Sequence, residues 1–226
     1  MIKPSEEKLH LKAATTRFPT PILPTHLSDE EKVEAISQHF KEIMTLLGLD
    51  LSDPSLQKTP ERVANMYVRE VFQGISLDAF PAISFFNEEM SKTEYQGVVV
   101  TKCGFTSFCE HHFVPMIGAA YIGYIPHGKV IGLSKISRIV RYFAARPQLQ
   151  ERLSAQIADC LGTLLGHEDI AVSIQAQHTC VIARGTKDES GFTTTAYLRG
   201  AFLNNSEMKR DFYTLIDQMI EQEKKK

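Results

Sequence analysis

The chain is expected to fold as an α+β protein: an antiparallel sheet with a helix pair, preceded by an N-terminal helical region. Three observations predict this. Apolar residues recur at helical spacing in the first part of the chain, and short runs of strand character take over from Gly97 onward. Between those runs stands one pair of helical segments, so the order is strand pair, helix pair, strand pair.

Residues 1–27 read as an irregular N-terminal arm, because Pro4, Pro19, Pro21 and Pro24 interrupt any continuous helix. Residues 28–96 form the helical region. Ser28 and Glu31 make a capping box ahead of Ile36, Phe40, Ile43 and Leu47, and Gly48 ends that helix. A second helix has Thr59 at the N-cap, Pro60 in the first turn, Val63, Met66, Tyr67 and Val71 on one face, and Gly74 as its stop.

Residues 97–226 are expected to be the catalytic domain. Val98–Thr101 and Ala119–Ile125 read as strands, the latter bounded by Gly118 and Pro126. One helix follows around Ile136, Ile139, Val140 and Phe143. A second, after Pro147, carries Leu149, Leu153, Ile157, Leu161 and Leu164 and is closed by Gly166. Ile170, Val172, Ile174 and Ala176 alternate with Ala171, Ser173 and Gln175, which is the mark of a half-buried antiparallel strand leading into His178 and Cys180. Thr193–Leu198 reads as the last strand, followed by a helix with Met208, Phe212, Leu215 and Met219.

At 226 residues with 43% hydrophobic content, the chain can bury one substantial core or two small ones. No apolar run is long enough to cross a bilayer. Twenty-five Lys plus Arg against 27 Asp plus Glu leave a net charge of −2, so no global field draws in nucleic acid or an anionic membrane, and any anion site must be local. The opening residues Met1 to Glu7 have no apolar stretch of the kind a secretory signal needs, which predicts a reducing, cytoplasmic setting.

That setting bears on the cysteines. Cys109-Glu110-His111-His112 and the later His178-Thr179-Cys180 gather two thiols and three imidazoles into short clusters. Zinc takes thiolate and imidazole ligands, and a Cys-x-x-His pair brings two of them onto one ion from a tight turn. Cys109, His112 and Cys180 are therefore the expected ligands, the last supplied by a distant strand, with one coordination position left for water. His111 and His178 then stand beside that water as acid and base. Alone, Cys-x-x-His is a weak pattern, and Cys109 and Cys180 could instead form a disulfide, but a reducing compartment favours metal or catalysis. Cys160, at helical spacing with Leu161, Leu164 and Leu165, is expected to be a buried small hydrophobe. Cys103 has no evident role in the sequence.

Candidate anion-binding groups are few. A helix opening near Ser134 puts Lys135 and Arg138 on one face near its N-terminus, a geometry that suits phosphate as well as an ordinary solvated face. Arg184 adds a cation close to Cys180. Gln150 and Glu151 begin the helix after Pro147, where a carboxylate is favoured by the helix dipole and can also accept two hydrogen bonds from a planar donor edge.

Four motifs in order, Cys109-Glu110-His111-His112-Phe113, Gly132-Leu133-Ser134-Lys135, Arg146 to Leu153 and His178 to Gly185, together closely resemble GTP cyclohydrolase I. The resemblance runs from about Ser28 to the C-terminal helix. It implies a tunnelling fold, one Zn2+ per chain on Cys109, His112 and Cys180, and His111 and His178 as acid/base residues. It implies conversion of GTP and water to formate and 7,8-dihydroneopterin triphosphate, the first step of tetrahydrofolate and pterin biosynthesis. Ser134 is then expected to assist proton transfer at the ribose ring oxygen. Glu151, with Gln150 beside it, would select guanine, and Lys135, Arg138 and Arg184 would bind the triphosphate. Asn65 stands where many bacterial relatives have a lysine that reaches a phosphate, and Arg62 one turn earlier is the candidate substitute. The family assembly implied is a homodecamer of two stacked pentamers with active sites between subunits. Three alternatives stay open: a related enzyme of the same fold acting on another pterin or a deazapurine, a non-catalytic zinc-stabilised assembly module, and a redox-sensing dithiol.

Overall fold

The computed structural model describes residues 4–87 and 97–225. Residues 88–96 of the expected helical region lie outside the described residues. In chain order come helices α1 (Pro4–Thr15), α2 (Asp29–Leu46) and α3 (Thr59–Asn65), the last continuing as a π turn over Met66–Val71, then strand β1 (Phe85–Asn87). Next are β2 (Val99–Cys109), β3 (Pro115–Tyr124), β4 (Lys129–Ile131), α4 (Leu133–Ala144), β5 (Pro147–Gln148) and α5 (Gln150–Leu165). The chain ends with β6 (Ile170–His178), α6 (Thr179–Ile182), β7 (Thr193–Leu198), α7 (Ala201–Asn204) and α8 (Ser206–Lys224).

The sheet order is β5-β2-β3-β6-β7, antiparallel from β2 through β7, with short β5 joining β2 in parallel. This is the α+β class that the element order predicts. One face of the sheet is covered by α4, α5 and part of α1, which bury Ile136, Phe143, Ile157 and Leu161 against Ile122, Val172 and Ile174. The other face is covered by α7 and α8, where Phe202, Phe212 and Ile216 pack on Tyr121 and Ala171. Cys103 and Cys160 belong to the first core; burial pushes both thiols up, Cys160 well above its ordinary value. Cys160 is thus the buried hydrophobe expected, and Cys103 is another.

The first 27 residues are not irregular throughout. Pro4 sits in the first turn of α1, where a missing N–H costs nothing, so that proline starts a helix instead of preventing one. Ala13 and Ala14 are buried in the main core, and Arg17, just past the helix, binds the buried carboxylate of Asp159 through its backbone N–H at 2.7 Å and its Nε at 2.5 Å. The capping box of Ser28 and Glu31 is formed as expected. Thr59, by contrast, is already helical and Lys58 is the N-cap. Gly74 lets the chain pass close under α4: a Cβ there would stand 2.1 Å from Tyr142 O.

Candidate active site

Cys109 is the last residue of β2, a strand much longer than the Val98–Thr101 run suggests, and only Glu110 to Val114 turn the chain into β3. The turn is tight. Phe113 N–H donates to Cys109 O and Cys109 N–H to Val114 O, both at 2.9 Å. Closing it holds Phe113 at φ +54°, a left-handed conformation that costs a residue bearing Cβ roughly 1–2 kcal/mol. Aromatic packing offsets that cost. Phe113 meets Phe72 at 5.2 Å and Tyr67 at 6.2 Å between ring centroids, both edge-on, and such pairs contribute about 0.5–1.5 kcal/mol each. Tyr67 lies in the π turn and Phe72 follows it, so the widened end of α3 supplies the floor on which this turn rests.

From that turn, His112 Nδ1 lies 3.8 Å from Cys109 Sγ. Cys180 completes a set whose ligand atoms all fall within 4.8 Å of one another. A tetrahedral zinc with Zn–S near 2.3 Å and Zn–N near 2.1 Å holds sulfur and nitrogen about 3.6 Å apart, so the donor set and its spacing fit that ion. Cys180 stands on α6, not on a strand: β6 ends at His178, and Thr179 Oγ1 pins the new helix by donating to Pro115 O at 2.6 Å. Burial and the neighbouring Cys109 sulfur push the Cys180 thiol up, with Arg184 pulling the other way. A cation between the two sulfurs would relieve their mutual repulsion as thiolates. All four cysteines are free, so the disulfide reading has no support.

His178 is held by a different device. Gln150 is buried, and its amide nitrogen donates to Ile174 O at 3.0 Å, Thr193 O at 3.0 Å and Thr195 Oγ1 at 3.2 Å. That leaves Gln150 Oε1 as acceptor for His178 Nε2 at 2.7 Å. The Nε2 hydrogen is therefore fixed and Nδ1 keeps its lone pair. Burial lowers the His178 pKa, opposed by the carboxylate of Glu151, which is exposed at the start of α5. The side chain expected to touch substrate at Gln150 is thus engaged at both ends within the chain.

Other expected residues divide into two groups. His111 is exposed beside the cluster, its Nε2 3.9 Å from Glu110 Oε1, and Arg184 Nη1 donates to His112 Nε2 at 2.7 Å. Ser134, Lys135 and Arg138 are elsewhere. Cys103 Sγ lies 3.4 Å from Ser137 Oγ, whereas Ser107 Oγ donates to Ala144 O at 2.7 Å, so α4 runs alongside β2 with its C-terminal end toward Cys109. The N-terminal turns of α4 are therefore level with Cys103 or beyond, six residues or about 20 Å along the strand from Cys109. Arg62 is exposed on α3, and the Asn65 amide turns back to its own helix, donating to Glu61 O at 2.9 Å.

Sequence reasoning missed the clamp on the turn. Arg152 grips Glu110 with two bonds, at 2.5 and 3.3 Å, while Glu110 N–H donates to Gln148 O at 3.1 Å. Only the pairing of β5 on β2 brings these residues together, and no local pattern announces it. Phe113 and its partners Tyr67 and Phe72 were equally silent, although Phe113 sits inside the recognised motif.

Fold and site together define a class: an α+β enzyme whose sheet ends in a cluster of two thiols and one imidazole able to hold a metal, with a second imidazole oriented beside it. The GTP cyclohydrolase I family model matches residues 36–217. A curated protein from Aeromonas salmonicida (strain A449), named GTP cyclohydrolase 1, is 46% identical over 92% of this chain and 95% of its own length. One of the same name from Vibrio vulnificus (strain YJ016) is 49% identical over 85% of this chain and 88% of its own. Among solved structures, the apo form of an archaeosine synthase, QueF-Like, gives a TM-score of 0.38 at 15% identity, over 45% of this chain and 91% of that one. The chain belongs to the GTP cyclohydrolase I family.

Proposed function

We propose that the chain hydrolyses and rearranges GTP to 7,8-dihydroneopterin triphosphate and formate, as the first step of tetrahydrofolate and pterin biosynthesis in the cytoplasm. The observation that carries this reading is the oriented imidazole of His178 beside a Cys2His cluster that fits one Zn2+. When bound by Cys109, His112 and Cys180, the metal supplies Lewis-acid polarisation and a water of lowered pKa.

The chain's own groups then divide the remaining work. Opening the imidazole ring of guanine requires a proton on the leaving nitrogen, and His111 and His178 are the groups that supply and accept protons there. Gln150 fixes the tautomer of His178. Glu151 accepts the adjacent N1–H and 2-amino donors of guanine, a pair that adenine lacks. A neutral His112 that offered Nδ1 to an ion would carry its hydrogen on Nε2 and could not accept from Arg184 there, which would leave the Arg184 guanidinium free to pair with the triphosphate. Lys135 and Arg138 stand on the first turns of α4, which has neither a capping side chain nor an acidic residue, and Ser134 accompanies them. Their distance from Cys109 within one chain supports a site shared between subunits, in keeping with a homodecamer of two stacked pentamers. Arg62 is the remaining cation proposed for the phosphates.

Zinc-loaded protein incubated with GTP should release formate and yield a product that becomes fluorescent on oxidation. His111→Ala and His178→Ala should each keep the metal and lose roughly 10²–10⁴-fold in turnover. Absence of formate from the loaded protein would overturn the assigned reaction, and normal turnover in either variant would remove that histidine from it.

A further inference from the structure

We propose that the chain carries a second site for a divalent transition-metal ion, built from His127, His167 and Asp169. It lies at the far end of the sheet. Strands β3 and β6 pair from Met116 opposite His178 to Tyr124 opposite Ile170. Eight residues of strand separate the two ends, about 27 Å. His127 comes from the turn after β3, and His167 and Asp169 from the connection that leaves α5 at Gly166 and enters β6.

The three side chains converge. A ring nitrogen of each histidine and a carboxylate oxygen of Asp169 all lie within 4.8 Å of one another. Asp169 is aimed, because its Oδ1 accepts from Ala201 N–H at 2.7 Å and its Oδ2 faces His127 Nε2 at 2.6 Å. His167 makes only a long bond, with Nδ1 accepting from Asp169 N–H at 3.2 Å, and its Nε2 is buried without a hydrogen-bond partner among the described residues, so offering Nε2 to an ion would move the ring hydrogen to Nδ1 and give up only that bond. The two imidazoles stand perpendicular with centroids 4.6 Å apart. Burial, the His127 ring and Lys129 hold His167 below the ordinary histidine pKa against the pull of Asp169, which favours the neutral form that ligates metal.

Two imidazoles and one carboxylate suit Zn2+, Co2+ or Ni2+; Ca2+ and Mg2+ prefer oxygen ligands throughout. Ligands at about 2.0–2.2 Å from such an ion stand roughly 3.4 Å apart, so His127, whose ring is half exposed, closes the set by a small rotation. Binding displaces the proton shared by His127 and Asp169 to solvent. The ion would tie together the turn after β3, the α5–β6 connection and, through Asp169 Oδ1, the start of α7. The Lys129 ammonium opposes it and limits affinity.

Cobalt tests the site, because its thiolate complexes absorb strongly in the near ultraviolet and complexes of imidazole and carboxylate do not. The intact chain is expected to bind two Co2+ ions. Cys109→Ser/Cys180→Ser should lose the charge-transfer absorption and one ion. His127→Ala should keep that absorption and lose the other ion, as should Asp169→Asn. Should Asp169→Asn fail to fold through loss of its bond to Ala201, His127→Ala decides alone, since its ring is half exposed. An intact chain whose only bound Co2+ carries the charge-transfer absorption, or a His127→Ala chain that binds as many ions as the intact one, overturns the proposal. Because the charge-transfer band reports the Cys109 cluster separately, failure here leaves the proposed reaction untouched, and failure of that reaction leaves the second site standing.

Discussion

At the scale of single residues, the site depends on side chains that never need to touch substrate. Gln150 is one: its amide is oriented by Ile174 O, Thr193 O and Thr195 Oγ1, and it thereby decides which nitrogen of His178 carries the hydrogen. Gln150→Leu keeps much of the volume but lets the imidazole choose either tautomer and removes the amide donor to Ile174 O and Thr193 O. Turnover is expected to fall about 10–100-fold with the metal content unchanged and KM little altered, because a mispositioned acid/base group forfeits part of its usual contribution. A fall in zinc content parallel to activity would instead make Gln150 a structural support of the metal turn. The candidate metal cluster was legible in the sequence because Cys109 and His112 are three residues apart and Cys180 lies two beyond His178. The work of Gln150 was not, because its partners sit on β6 and β7 and meet it only after the sheet has formed.

At the scale of elements, local chemistry was readable wherever it was truly local. Ser28 and Glu31 wrote the start of α2 into four residues, and the box forms with Ser28 N–H donating to Glu31 Oε2 at 2.7 Å and Glu31 N–H to Ser28 Oγ at 3.2 Å. These bonds from Ser28 hold the Glu31 carboxyl below its ordinary value. A carboxylate with a depressed folded pKa stabilises above its unfolded pKa, and that contribution fades as pH falls through the folded value. Ser28→Ala keeps the backbone N–H, the larger cause, and removes only the hydroxyl, so the Glu31 titration midpoint should rise by a part of its depression, read by carboxyl NMR, while loss of the N-cap costs about 1 kcal/mol. An unchanged midpoint would mean the helix is not capped this way in solution. Reading failed where tertiary packing overrode a local rule. Thr59 lies inside α3 and Lys58 is its N-cap, whereas Pro4 opens α1 by a local preference of its own, that of proline for a first helical turn. The π turn at Met66–Val71 follows from aromatic contacts to Phe113, some forty residues on, which no periodicity encodes.

At the scale of the whole molecule, one chain looks incomplete in two respects. The apolar face expected on α2 is covered only in part: Ile36 and Phe40 are half-buried, but Ile43 is 48% and Leu47 72% exposed, and Leu46 beside them is 87% exposed. Such a face on a stable protein calls for a partner surface. Independently, the register of α4 on β2 holds Lys135 and Arg138 at the level of Cys103 or beyond, away from Cys109, so of the proposed phosphate cations a single chain brings Arg184 to its own imidazoles but not Lys135 or Arg138. The second is met if a second copy docks the start of its α4 against the first chain's Cys109 turn. Subunit mixing tests this directly. Lys135→Ala and His178→Ala chains should each be nearly inactive alone, the first for want of a phosphate anchor and the second for want of a base. Coexpressed in equal amounts and assembled at random, they would give sites in which the histidine comes from a Lys135→Ala chain and the lysine from a His178→Ala neighbour. That pairing arises with probability one half times one half, so about a quarter of full activity should return. A site lying within one chain returns none, because every subunit would then carry one lesion or the other.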